Sequence, residues 1–252
     1  MHKYYHVKKI GKNGINGNKE KYMKEQKYNE LPINLKILWK GCILASIAHA
    51  IMVTKYPLLS FEHSWDNFNY NIQDGSGQRG TITFYNKYCI AAFRNEYSER
   101  MEEVMSNSEY LKKYFFNCKY EILEIANRET FQYLLDETNY GISPCITSVF
   151  WGEFMNNKVY SIDDINSIFL NGGSLIKYHL LSYNEAIEKW IKYYNMNSNE
   201  IFLLEFIFRK KIKEYNTPIF LSKKEISLLD INNYEGFKEA KISFSEMGIY
   251  FN

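Results

Sequence analysis

Arg79 and Arg94 are the residues of this chain best suited to chemistry, and both lie in the stretch 63–96, HSWDNFNYNIQDGSGQRGTITFYNKYCIAAFRNE. A guanidinium is a planar fork that grips a carboxylate or phosphate through two parallel hydrogen bonds. Gln73 adds an amide to the pair. His63, Trp65 and Asp66 stand just upstream, offering an imidazole that titrates near neutral pH, an indole for stacking and a carboxylate. Gln73, Arg79, Arg94 and Trp65 therefore form a candidate anion- or partner-binding patch, with His63, Asp66 and Asp74 as candidate acid/base groups. A second reading needs no ligand. Asp74, Asp66, Glu96 or Glu99 would pair with the arginines, and both aspartates would serve as turn formers.

Register is what brings these residues together. Asn86-Lys87 reads as a two-residue hairpin loop, because Asn tolerates the positive φ such turns need. That loop pairs Tyr85 with Tyr88, Phe84 with Cys89, Ile82 with Ala91, Gly80 with Phe93 and Arg79 with Arg94. A three-residue Gly75-Ser76-Gly77 loop then places Gln73 opposite Arg79, with Tyr70 and Ile72 on the apolar face. A slip of one residue would send every side chain to the wrong face. Like charges directly opposite on a ladder repel, so something negative is expected beside the arginines. Ile90 and Ala92 share their face, which predicts a cover over part of it, either a helix or a partner.

The surrounding elements must hold this sheet. Apolar residues from Gly41 to Val53 predict a helix from Pro32 to about Thr54; the run of about 13 is shorter than the ~20 needed to cross a bilayer, so it reads as a buried core helix. His49 within it, and His179 in IKYHLLS, read as satisfied core histidines, and Trp151 reads as packing. Helical periodicity predicts helices near 108–117 and 119–137, broken at Gly141–Pro144. Ser161-x-x-Asp164 opens a short helix ending at 171–173. Ser182-x-x-Glu185 and Ser222-x-x-Glu225 are capping boxes, and 199–214 is an apolar helix closed by basic residues, as the helix dipole favours. Alternation in AKISFSEMGIYF predicts a strand over 240–251 that joins the meander. The fold class is α+β: an antiparallel meander over about 69–95 packed against a mostly helical remainder, with residues 100–230 as a helical subdomain. A polar leader over 1–30 precedes one α+β domain over 31–252.

Composition narrows the function. The net charge is +2, and the leader holds eight lysines against three glutamates, leaving 23 basic against 26 acidic residues in the rest. That balance counts against nucleic-acid binding. The four cysteines are scattered with no metal-ligand spacing, which counts against a structural zinc site and suits reduced thiols in a cytoplasmic protein. No apolar signal segment is present in the leader, Gly11, Gly14 and Gly17 make no phosphate loop, and no hydrolase, zincin or nucleotide-binding motif occurs. No metal or cofactor is implied. The expectation is a cytosolic bacterial binding protein, of immunity type, that neutralises a partner protein through the face around Arg79 and Arg94. The alternative is an enzyme on an anionic phosphate- or nucleotide-containing substrate, with the arginines as clamp and His63 and Asp66 as acid and base.

Overall fold

The computed structural model describes residues 28–116, 118–230 and 233–252. The leader expected over 1–30 lies outside the described residues except at its last three positions. Of these, Asn29–Glu30 form strand β1. Asn34 then caps α1 (Leu35–Met52), its side chain accepting from the Lys36 and Ile37 amides. Cap and apolar run together make the expected helix. It is long and apolar enough to cross a membrane, yet it is packed inside the molecule. A helix apolar all round belongs in a core.

Four strands follow: β2 (His63–Asp66), β3 (Asn69–Gln73), β4 (Gln78–Tyr85) and β5 (Tyr88–Asn95). Their register is the one that the turns dictate. Gln73 faces Arg79, Arg79 faces Arg94, and Phe84 faces Cys89. Asn86 takes φ +52° and Gly77 φ +95°, the left-handed conformations that the two loops require. Beyond them come α2 (Met101–Ser106), α3 (Tyr120–Arg128), β6 (Leu135–Thr138), β7 (Gly141–Pro144), β8 (Ser148–Glu153) and β9 (Lys158–Ser161). The chain ends with α4 (Ile165–Leu170), α5 (Tyr183–Tyr194), α6 (Ser198–Lys213), β10 (Ile219–Leu221), α7 (Lys223–Ile226), α8 (Tyr234–Glu246) and β11 (Ile249–Phe251).

The fold is α+β, with a seven-stranded antiparallel sheet in the order β1-β9-β8-β5-β4-β3-β2. One face packs on α1: Tyr70, Ile72, Ile82, Cys89, Ala91 and Phe93 join its core, with Phe84 packed against it. The other face carries Tyr88, Ile90 and Ala92 into a second core with Val104, Tyr114, Ile122 and Phe131. The cover expected over Ile90 and Ala92 is therefore the chain's own segment around 104–134.

Four expectations are corrected. The region 100–230 is not wholly helical, since β8 and β9 extend the sheet beside β5. Ser-Val-Phe-Trp-Gly is buried on both faces, so it lacks the alternation that announces a strand. The helix expected over 119–137 stops at Arg128, and a 3-10 turn over Thr130–Leu134 leads into β6 instead. The strand expected over 240–251 is mostly α8, capped by Asn233, with Gly236, Ala240, Ser243 and Phe244 buried at helical spacing. Only Ile249–Phe251 is extended, and it pairs in parallel with β10 away from the main sheet. The short helix before residue 171 is capped by Asp164 rather than Ser161, which ends β9. Both serine capping boxes form as expected.

Candidate functional site

On the sheet face away from α1, Arg79 and Arg94 share two carboxylates. Asp136 Oδ2 accepts from Arg94 Nη1 and lies 3.3 Å from Arg79 Nη2. Glu96 Oε1 lies 3.2 Å from Arg94 Nη2 and 4.0 Å from Arg79 Nη2. Two cations thus meet two anions, which removes the repulsion that the register creates. Hydrogen bonding from Arg94, then from the Glu137 amide, holds the Asp136 carboxyl below the usual range. Arg94 is buried while Arg79 is half-exposed. Asp136 belongs to β6, so the cluster ties the β6–β7 hairpin to the sheet. Beside that anchor, Asp66, Asn71, Gln73, Arg79, Thr81 and Tyr133 line a polar cleft of about 370 Å³.

The hairpin itself has inverted polarity. Asp136 faces Ser143 and Thr138 faces Gly141, and Asp136 and Thr138 point inward. Leu135, Glu137 and Ile142 alternate with them and point outward, Ile142 with 79% of its surface exposed. The Tyr140 hydroxyl, 2.9 Å from the Val104 carbonyl, and the Asn139 amide, 3.1 Å from the Met105 carbonyl, fix the tip against α2. Among the described residues, β6 and β7 pair only with each other.

A different polar group lies on the α1 face. His63 Nδ1 is 2.6 Å from the Tyr70 hydroxyl, which is 2.7 Å from His179 Nε2. A hydroxyl has one proton, so Tyr70 donates to one ring and accepts from the other. His179 Nδ1 is buried without a hydrogen-bond partner. His49 packs on His63 with ring centroids 4.8 Å apart, and its Nδ1 is 3.2 Å from the Tyr194 hydroxyl. Burial depresses all three histidines, His49 to about 4, His179 to about 3, and His63 well below the ordinary value, where His49 and His179 also contribute. All three are neutral at pH 7. Glu62, also buried, makes no side-chain hydrogen bond or ion pair among the described residues, and burial, then Asp74, raises its pKa. Glu62, His63, Asp74, Lys177, Tyr178 and Tyr193 line a cavity of about 250 Å³.

The structure divides the residues singled out in the sequence. Gln73, Arg79, Arg94 and Asp66 share the outer face, and Asp66 accepts from the Tyr133 hydroxyl at 2.5 Å. Asp74 accepts from the Ser76 and Gln78 amides and is a turn former. Trp65 and His63 turn their side chains to α1, although Trp65 also borders the cleft that Arg79 lines. The Trp65 indole donates to Ser46 Oγ at 2.7 Å and is buried, so it offers no open stacking surface. His49 and His179 are core residues, yet each keeps one ring nitrogen without a partner, so neither is fully satisfied. Asp136, Glu62 and the His49–His63 contact escaped sequence reasoning. Asp136 sits in a segment whose pattern reads as helix, and His49 is 14 residues from His63 on another element. Compared with family models, curated proteins and solved structures, the chain matches none.

Proposed function

We propose that this chain is a binding protein for another protein, which it engages through the outward face of the β6–β7 hairpin and the cleft at its root. The observation that carries this reading is the hairpin's polarity. Asp136 points into the molecule, where Arg79 and Arg94 fix it, while the apolar Leu135 and Ile142 point out beside Glu137. Exposed apolar side chains on a clamped element suit an interface, because little ordering entropy is lost on docking. The unextended edges of a two-stranded sheet also accept a strand from a partner. Three buried free thiols, Cys42, Cys89 and Cys145, support a cytoplasmic setting. Within that setting, an immunity-type role in a bacterium, neutralising the bound protein, is the most specific form of the proposal.

The enzyme reading has weaker support. Asp136 and Glu96 already occupy both guanidiniums, so an anionic substrate would have to displace them. His63 and Asp66 are three residues apart on one strand and point to opposite faces, so they do not converge on one substrate. Affinity capture from host-cell lysate tests the proposal: one stoichiometric protein retained by the native chain and lost by Ile142→Asp, with the variant's melting temperature unchanged, supports it. Equal retention by both chains would refute it.

A further inference from the structure

We propose that His49, Glu62 and His63 bind one divalent transition-metal ion, zinc best fitting the donor set, beside the cavity that Glu62 and His63 line. One ligand atom from each of the three residues lies within 4.8 Å of the other two, and all three residues are buried. Tetrahedral zinc with bonds of ~2.0–2.1 Å spaces its ligand atoms roughly 3.3 Å apart. Rotation of the Glu62 side chain and the two rings by modest amounts would close that gap. Two imidazoles and a carboxylate are hard-to-borderline donors that suit zinc and its first-row neighbours, with a remaining position for water or a ligand. Glu62 and His63 both line the 250 Å³ cavity, which gives a water or ligand a way to them.

Two further observations point to a cation. His49 Nε2 is fully buried and lacks a hydrogen-bond partner. The Glu62 carboxylate borders the cavity and makes no hydrogen bond or ion pair among the described residues. A buried ring nitrogen without a partner is costly, and an ion there relieves it. The other nitrogen of each ligand histidine is held by a tyrosine hydroxyl, Tyr194 for His49 and Tyr70 for His63. Metal-bound histidines are oriented in this way, through the nitrogen that does not face the ion. Tyr70 engages His63 through Nδ1, so Nε2 is the nitrogen a metal would take. His49 lies in the last turn of α1, and β2, which carries His63, is tied to α8 where the Trp65 amide donates to Glu246 at 2.9 Å. The site is thus built on packed elements. It lies on the opposite side of the sheet from the hairpin, so it stands or falls independently of partner binding.

Titration of the metal-stripped full chain with zinc chloride, and with cobalt(II) chloride for its visible absorption, tests the site. The expected result is one ion per chain, visible cobalt bands, and a zinc-induced rise in melting temperature. Glu62→Gln, which keeps shape and removes the anionic ligand, should weaken zinc binding roughly tenfold or more and abolish the melting shift. Tyr70→Phe serves as a second variant that leaves all three ligands in place. It removes only the hydroxyl that orients His63, and should weaken binding roughly 10- to 100-fold. No zinc bound by the native chain, or binding by both variants as tight as native, would overturn the proposal.

Discussion

Arg94 and Arg79 occupy paired positions on one ladder, yet burial separates their roles. Arg94 is buried with its Nε unpartnered, and Asp136 and Glu96 are the only carboxylates near it in the described ion pairs. Asp136→Ala should therefore destabilise by about 1–3 kcal/mol, between the values for exposed and buried pairs, as read by urea denaturation. Arg79→Ala, at a half-exposed partner, should cost about 1 kcal/mol or less. Equal losses would show that burial does not set the balance. The sequence made the arginine pair legible because both turns fix the register locally. It hid Asp136, which arrives from 42 residues beyond Arg94 on a strand that reads as helix. The histidines make a separate prediction at this scale. An unfolded histidine takes up its proton near 6.5, whereas folded His49 and His179 resist until about 4 and about 3. The unfolded state therefore binds more protons between those limits. Stability is full above about pH 6.5 and falls below it, by up to about 1.4 kcal/mol per pH unit for each histidine. With chelator present, the urea midpoint should drop between about pH 7.5 and about pH 5. An unchanged midpoint would contradict the neutral, buried assignment.

At the scale of elements, α1 was readable from its apolar run, although the Asn34 cap sets its start at Leu35 rather than at Pro32. The α1-facing side of the meander was readable because alternation and turn chemistry agree. Strand β8 was not, because a strand buried on both faces carries no period, β9 is only four residues long, and α8 was mistaken for a strand because Ile242 and Phe244 mimic alternation. Gly41 shows how closely α1 is packed. A Cβ there would lie 2.2 Å from the backbone oxygen of His179. Gly41→Ala raises helix propensity by up to about 1 kcal/mol, yet overpacking costs typically about 1–3 kcal/mol. Net destabilisation is expected, with His179 displaced, and a higher melting temperature would contradict this packing. In contrast, Ser182→Ala removes only the capping box of α5 and should cost about 1 kcal/mol without disturbing the histidines.

Across the whole molecule, the sheet separates two polar regions. The α1 side holds a buried chain of histidines and tyrosines, and the outer side holds a neutral four-charge cluster that clamps the β6–β7 hairpin. This separation explains why residues adjacent in sequence, His63 to Asp66, do not act together: alternate positions on β2 look into different halves of the molecule. Under the proposed function, partner binding depends on the hairpin's surface rather than on the arginines' charge. Isothermal titration of the captured partner against three chains tests this directly. Relative to the native chain, Ile142→Asp should lose roughly a hundredfold in affinity, as a centrally placed contact does on gaining a buried charge. Arg79→Ala, with Asp136 still held by Arg94, should stay within about threefold, as rim charges do. The reverse order, with Arg79→Ala abolishing binding and Ile142→Asp tolerated, would restore the arginine clamp as the binding surface and contradict the account.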